Sequence, residues 1–105
     1  TYLYGATSTT INAEVNAGRR PFQIKRVASN SYDVITVANT GDYAMSGFGT
    51  GNMHYNRTLA QLSNELTNRR LVSLDCYDIS GATYMSAVSI PNSGAQSAGW
   101  GWLVR

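Results

Sequence analysis

The chain has 105 residues, of which 43% are hydrophobic and 13% are charged, so it can form one domain with a modest core. Its formal net charge of +2 is too small for the dense basic face that nucleic acid or an anionic membrane surface requires. No apolar run approaches the length of a membrane span, so we expect neither nucleic acid nor a membrane as a partner.

The sequence contains two similar halves, residues 2–52 and 53–105. Their equivalent residues are offset by 50 to 53 positions. The clearest pairs are Tyr4 with Tyr55, Ile11 with Leu62, Glu14 with Glu65, Arg20 with Arg70, Ile24 with Leu74, Asn39 with Asn92, Gly41 with Gly94 and Phe48 with Trp100. A period of this length is typical of a repeat whose units cannot bury their apolar faces alone. We therefore predict a single domain, residues 1–105, made of two repeats.

The first half gives the weaker pattern of secondary structure. A helix is predicted over about residues 8–17, and Gly18 is a suitable residue to end it. Strands follow near residues 22–28 and 32–38, and the second strand ends at a turn over residues 39–42.

The second half repeats this order more clearly. Thr58 and Gln61 have the spacing of a capping box, and Leu59, Leu62 and Leu66 recur at helical spacing up to about residue 68. Residues 70–77 and 84–90 read as two strands joined by a turn at 78–82. Each half therefore predicts a helix followed by an antiparallel hairpin.

Aromatic segments at the repeat boundaries predict a third strand for each unit. They are Tyr2-Leu3-Tyr4, Met53-His54-Tyr55 and the run from Trp100 to Val104. The predicted fold class is α+β: two αββ(β) repeats with pseudo-two-fold symmetry, and an antiparallel sheet with two helices on one face. A terminal aromatic strand left at a sheet edge would also favour a homo-oligomer.

The single cysteine and the paired arginines are expected mainly to have structural roles. Cys76 is the only cysteine, which excludes an internal disulfide, and the apolar series Val72, Leu74, Cys76 predicts a buried, unreactive thiol. Two arginine pairs, residues 19–20 and 69–70, occupy matching places in the repeats. They favour charges that complement the helix C-termini, with phosphate or carboxylate recognition as the alternative.

Several of these segments resemble a known family. Residues 69–77 (RRLVSLDCY), residues 82–88 (ATYMSAV) and Trp100 are similar to the strand motifs and the tryptophan-rich boundary of the bacterial tandem repeat domain. Repeats of that family occur beside β-lactamase-like serine hydrolase domains, as in secreted fungal polyglycine hydrolases. The resemblance implies an accessory recognition module rather than the catalyst.

The catalytic residue patterns that we considered are missing or weak. The only lysine, Lys25, follows Phe22 by three residues, so a Ser-x-x-Lys nucleophile is absent. A Cys76–His54 pair is disfavoured because Cys76 is expected to face inward, and no spacing suggests a metal or cofactor site. Glu14 and Glu65 are expected on exposed helix faces, although a cleft that held His54 with either carboxylate would favour an enzyme.

The boundary aromatics are the better functional signal. The predicted binding residues are Tyr4, Tyr43, Phe48, Tyr55, Trp100 and Trp102, and neighbouring glycines would leave their rings open. The same rings also suit an inter-repeat core. We expect a non-catalytic module that binds a protein or peptide. The alternatives are a carbohydrate-binding module that also uses Asn39, Asp42 and Asn92, and a small enzyme with an unrecognised site.

Composition also gives an expectation about localisation. The low charge, the many Ser, Thr, Asn and Tyr residues, and a glycosylation-type sequon at Asn56-Arg57-Thr58 all favour a secreted protein.

Overall fold

Both halves of the chain form the same succession of strand, helix, strand and strand in the computed structural model, which describes residues 1–41, 44–45 and 47–91. The first unit consists of β1 (Tyr2–Ala6), α1 (Ser8–Asn16), β2 (Arg19–Ala28) and β3 (Ser31–Ala38). A short 3₁₀ helix (Thr50–Asn52) precedes the second unit, which consists of β4 (Met53–Arg57), α2 (Leu59–Glu65), β5 (Arg69–Ile79) and β6 (Ala82–Pro91). The predicted α+β class with two repeat-like units is confirmed.

Each unit has its own three-stranded antiparallel sheet. The strand orders are β1-β3-β2 and β4-β6-β5, so the last strand of each unit is central. The predicted hairpins are present: Ile24 lies opposite Val34 in the first unit, and Leu74 lies opposite Ala87 in the second. The aromatic segments at the start of each unit form the edge strands β1 and β4, which pair with the central strand of their own unit.

Local backbone signals explain where both helices begin and end. The Oγ1 atom of Thr7 accepts a hydrogen bond from the N–H of Thr10. In the second unit Thr58 and Gln61 form the predicted capping box, with each side chain binding the other residue's N–H. Left-handed residues follow both helices: Gly18 has φ of 92° and the equivalent Asn68 has φ of 58°.

A matched irregularity bends β1 and β4. Gly5 and Asn56 both have positive φ, 59° and 49°, at the point where the pairing register shifts. The N–H of Gly5 donates to Asp33 Oδ1, and the N–H of Asn56 donates to Ser86 Oγ. Asparagine tolerates this left-handed conformation. The left-handed backbone at this position therefore explains the presence of Asn56, the asparagine of the sequon.

The core of the described residues consists of two clusters, and α1 and α2 each bury a stripe against their own sheet. The larger cluster contains Ala6, Ile11, Val15, Ile24, Tyr32, Val34, Met53 and Val88, so it draws on both units. The smaller cluster contains Leu62, Leu66, Met85 and Ala87. Because Met53 and Val88 pack with first-unit residues, the two units share a core.

Polar side chains join the two sheets where β2 lies beside β5. The N–H of Ile24 donates to Ser73 Oγ at 3.2 Å, and the N–H of Arg26 donates to Asp75 Oδ2 at 2.7 Å. Arg26 also lies over the ring of Tyr77, with its guanidinium carbon 4.8 Å from the ring centroid. Side chains of β5 thus satisfy backbone donors on an edge strand, which otherwise would be open to pairing with another chain.

The prediction that Cys76 is buried is wrong. Cys76 is exposed, and its neighbours in the apolar series, Val72 and Leu74, are 39% and 40% exposed. The opposite face of β5 is turned toward β2, and it carries Ser73 and Asp75 because those side chains bind the backbone of β2. Here the polar residues face inward, so the hydrophobic alternation indicated the wrong face.

Candidate functional site

The structure describes three of the six predicted binding residues, and they differ in exposure. Tyr4 is 77% exposed and stacks on Tyr2, with ring centroids 4.3 Å apart and an interplanar angle of 16°. Phe48 and Tyr55 are half-buried and pack against the larger core cluster. Tyr43, Trp100 and Trp102 lie outside the described residues, as do Asp42 and Asn92 of the carbohydrate alternative.

Tyr55 connects the two units. Its ring lies 5.3 Å from the ring of Tyr32, and its hydroxyl donates to Asn12 Oδ1 on α1 at 3.0 Å. Burial raises the pKa of Tyr55 well above its ordinary value of 10, so the hydroxyl remains a donor throughout the neutral range. Tyr55 therefore has a structural role, and it also lines a surface cavity.

A surface cavity of about 530 Å³ lies in the second unit, next to α1 of the first. Its lining includes Asn12, His54, Tyr55, Arg57, Glu65 and Arg69. His54 and Tyr55 come from β4, Glu65 from the last turn of α2, and Arg69 from the start of β5. The cleft that would hold His54 with Glu65 is thus present, whereas the equivalent carboxylate, Glu14, is not part of this lining.

A continuous network runs from the interior to this cavity; we call it the His54 network, comprising Ser89, Arg69, His54, Glu65 and Arg57. Arg69 Nε donates to Ser89 Oγ at 2.9 Å. His54 lies between Ser89 and Glu65, with 2.7 Å from Nε2 to Ser89 Oγ and 2.7 Å from Nδ1 to Glu65 Oε1. The other carboxylate oxygen, Glu65 Oε2, forms an ion pair with Arg57 Nε at 3.0 Å.

Chemistry fixes the direction of the hydrogen bonds on His54. The ring is 3% exposed, and burial lowers its pKa from 6.5 even though Glu65 acts in the opposite direction. The imidazole is therefore neutral at neutral pH. An ionised carboxylate only accepts, so Nδ1 carries the proton and donates to Glu65, while Nε2 accepts from the Ser89 hydroxyl.

Serine, histidine and glutamate in this order have the hydrogen-bond geometry of a hydrolase triad. The position of Ser89 argues against that use, because Ser89 is fully buried on the central strand β6 and is not part of the cavity lining. A nucleophilic serine needs an Oγ atom that a substrate can reach. In this arrangement Ser89 holds His54 and Arg69 in place, and the side chains that face the cavity are those of its partners.

The first unit contains some of the interactions found at the cavity of the second unit and lacks others. In the first unit Arg19 Nε donates to Thr36 Oγ1 at 2.9 Å, so the arginine–hydroxyl bond occurs in both units. The residues equivalent to His54 and Arg57 are Leu3 and Ala6, which occupy the matching places in β1. The fold therefore does not require the imidazole or the second arginine.

Other reactive groups do not come together around this cavity. Cys76 is exposed on β5, and burial together with the nearby Asp75 raises the pKa of its thiol, which leaves less thiolate at neutral pH. His54 is buried and bound on both ring nitrogens, so the two do not form a catalytic pair. Within the described part of the chain, no three His, Cys, Asp or Glu residues are grouped so that they could hold a metal ion.

The sequence named His54 and Glu65 only as members of a conditional catalytic cleft, not among the six predicted binding residues, and it gave no role to Ser89 or Arg57. Ser89 looked like an ordinary strand residue, and its one signal was the pairing of a hydroxyl residue with Thr36 across the repeats. The only pattern in the sequence that includes Arg57 is the sequon, of which it is the middle residue. Both become relevant because strand order places β6 beside β4.

Comparison with protein-family models, curated proteins and solved structures finds no match to this chain. Neither α1 nor α2 has the length and apolar character needed to cross a membrane, and no other helix in the described residues does. The resemblance to the bacterial tandem repeat domain therefore stays a prediction.

Proposed function

We propose that this chain is a secreted, non-catalytic recognition module that binds a protein or peptide partner at the cavity of the second unit. The observation that carries the proposal is the His54 network. It fixes polar side chains around an open cavity, while its one hydroxyl of nucleophilic type is buried behind them.

The arrangement suits binding better than proton transfer. The basic nitrogen of His54, Nε2, is bonded to the buried Ser89 hydroxyl, and the ring is 3% exposed, so this nitrogen does not reach a substrate in the cavity. Arg57, Glu65 and Asn12 reach the cavity as donors and acceptors at fixed positions, and Tyr55 adds an aromatic surface. A mostly preformed cavity with a few placed polar groups is typical of ligand sites.

The proposal is tested by NMR titration of the isotope-labelled protein. Acetylated peptides of mixed sequence should shift the backbone resonances of Asn12, Tyr55 and Arg57. Arg57→Ala should abolish these shifts, whereas Tyr4→Ala, a matched change at an exposed residue outside the cavity lining, should leave them unchanged. Peptides that shift no cavity resonance in the folded protein would contradict the proposal.

A carbohydrate-binding function is the second candidate, because of a different observation. Tyr2 and Tyr4 form a stacked pair that is exposed on the edge strand β1, and exposed aromatic faces can stack on sugar rings. Titration with soluble oligosaccharides should then shift resonances of β1, and Tyr4→Ala should remove that response. Arg57→Ala should affect only peptide binding and Tyr4→Ala only carbohydrate binding, so the two variants distinguish the candidates.

We also propose that the two units are tandem repeats of one ancestral module. The support is the matched set of helix caps, left-handed residues and register shifts, which occur at nearly constant offset. Superposition of the two units in a crystal structure tests this, and units that align only after strands are exchanged would contradict it.

A further inference from the structure

We propose that Arg57 binds a carboxylate group of the partner in this cavity, and that Glu65, His54 and Ser89 are positioning residues that hold its guanidinium in place. This inference rests on the proposed function and deepens it, because it names the chemical group that is recognised.

The guanidinium of Arg57 is held at one end and open at the other. Its Nε forms an ion pair with Glu65 Oε2 at 3.0 Å, without the geometry of a hydrogen bond, and its side chain is 42% exposed at the cavity. Among the described residues, no side chain or carbonyl forms a hydrogen bond with its two terminal Nη groups. Two parallel N–H groups of an arginine match the two oxygens of a carboxylate.

The support for Arg57 extends into the core. Glu65 is oriented by His54, and His54 is oriented by Ser89, which is itself fixed by Arg69 and by its place on β6. Ser89 is fully buried and His54 nearly so, so these two partners have little freedom to move. A side chain that is ordered before the ligand arrives loses less entropy on binding.

The charges that face the cavity favour an anion. Its lining contains two arginines and one glutamate, while His54 is neutral, so the formal charge of the lining is +1. Glu65 already shares its two oxygens between His54 and Arg57, which reduces its repulsion of an incoming carboxylate.

The rest of the lining fits a peptide that carries the carboxylate. The Tyr55 hydroxyl occupies Asn12 Oδ1, and that bond leaves the Asn12 Nδ2 group as a donor for a peptide carbonyl. Met53 and Tyr55 provide apolar surface beside it.

Neither Arg57 nor His54 has a counterpart in the first unit, where Ala6 and Leu3 stand, so the arrangement is not a requirement of the fold.

The experiment compares four probes by NMR titration of the full chain at fixed salt. They are acetyl-Ala-Ala-Leu as the free acid, the same peptide as its C-terminal amide, acetyl-Ala-Asp-Ala amide, and sodium acetate. We expect the free acid to bind about tenfold or more tightly than the amide, because a charge-assisted hydrogen bond is lost in the amide. The aspartyl peptide reports whether an acidic side chain can supply the carboxylate in place of a C-terminus.

Variants separate a positioned arginine from a general positive charge. Arg57→Gln should remove the preference for the acid, and Arg57→Lys should restore only part of it because the planar fork is lost. Glu65→Gln makes the cavity more positive yet frees Arg57, so we expect weaker binding, whereas bulk attraction would make binding tighter. Lys25→Gln, at an exposed lysine outside the lining, is the charge-matched control.

Each outcome supports or overturns the recognition module, the carboxylate site or both. Equal binding of the acid and the amide at the cavity overturns carboxylate recognition and leaves the recognition module standing. Acetate that binds while all three peptides fail supports the carboxylate site but overturns a peptide partner. If no probe shifts a cavity resonance, both proposals are overturned.

Discussion

His54 Nδ1 lies 2.7 Å from Glu65 Oε1, so a buried imidazole supports a carboxylate that is one-third exposed. This pair links the interior of the second unit to its cavity. His54 lies on β4, Glu65 ends α2, and Ser89, which also binds His54, lies on β6. The pair therefore forms only when these three elements pack correctly.

Acidification should destabilise the protein as His54 is protonated. Burial lowers the pKa of His54 in the folded state below 6.5, so as the pH falls through 6.5 the unfolded chain takes up the proton first. The free energy of unfolding should then fall, by at most about 1.4 kcal/mol per pH unit for one group, until the folded pKa is reached.

Urea unfolding between pH 7.5 and 5 measures this dependence. The matched variant is His54→Leu, which places the residue of the equivalent first-unit position, Leu3, in the second unit. Its unfolding free energy should depend less on pH over the same range. An identical pH dependence in the variant would show that other groups cause it.

Removing the Ser89 hydroxyl should cost more than removing its counterpart in the first unit. Ser89→Ala removes a hydroxyl that both Arg69 Nε and His54 Nε2 bind, whereas Thr36→Val affects mainly Arg19. We expect Ser89→Ala to lower the free energy of unfolding by about 1–3 kcal/mol. Denaturant titration of both variants checks the order, and a larger loss for Thr36→Val would contradict it.

Opening the joint between the sheets should make the protein less stable and more prone to associate. Asp75→Ala removes the acceptor for the Arg26 N–H and exposes part of the edge of β2. The expected loss is about 1–3 kcal/mol, because a charged acceptor is removed. The control is Asp78→Ala, which loses only an exposed bond to Thr83. Unfolding and sedimentation measurements should both separate the two variants.

Cys76 should react with a thiol reagent in the native protein. Its side chain is exposed, so labelling should need no denaturant, and because its pKa is raised the rate should increase as the buffer is made more alkaline. At one pH the native protein should label more slowly than the unfolded protein, because the raised pKa leaves less thiolate in the folded state. Labelling that begins only on unfolding would mean that β5 has the opposite face turned outward.

Local signals made much of the fold predictable. The capping box of Thr58 and Gln61 depends on neighbouring residues only, and the hairpins follow from alternation and turn residues. The inward face of β5 was not predictable in the same way. Ser73 and Asp75 are turned inward to bind backbone atoms of β2, a contact between the two units that hydrophobic alternation does not encode.

The site was predictable only in part. His54 and Glu65 were recognised as chemically relevant residues, but their meeting depends on how β4 and α2 pack. Ser89 lies 35 positions from His54 in sequence and reaches it because β6 is the central strand of the sheet. Strand order is a property of the whole fold, so residue spacing gave no signal for this contact.

The most direct test of the central claim, that this cavity recognises a ligand rather than hydrolyses one, is intact-protein mass spectrometry after incubation with a fluorophosphonate at neutral pH. A reachable, activated serine would form a covalent adduct with this reagent. Because Ser89 is buried behind His54 and Arg69, we predict that the native protein gains no mass. A stoichiometric adduct on Ser89 that disappears in His54→Leu would contradict the account and identify the His54 network as an active site.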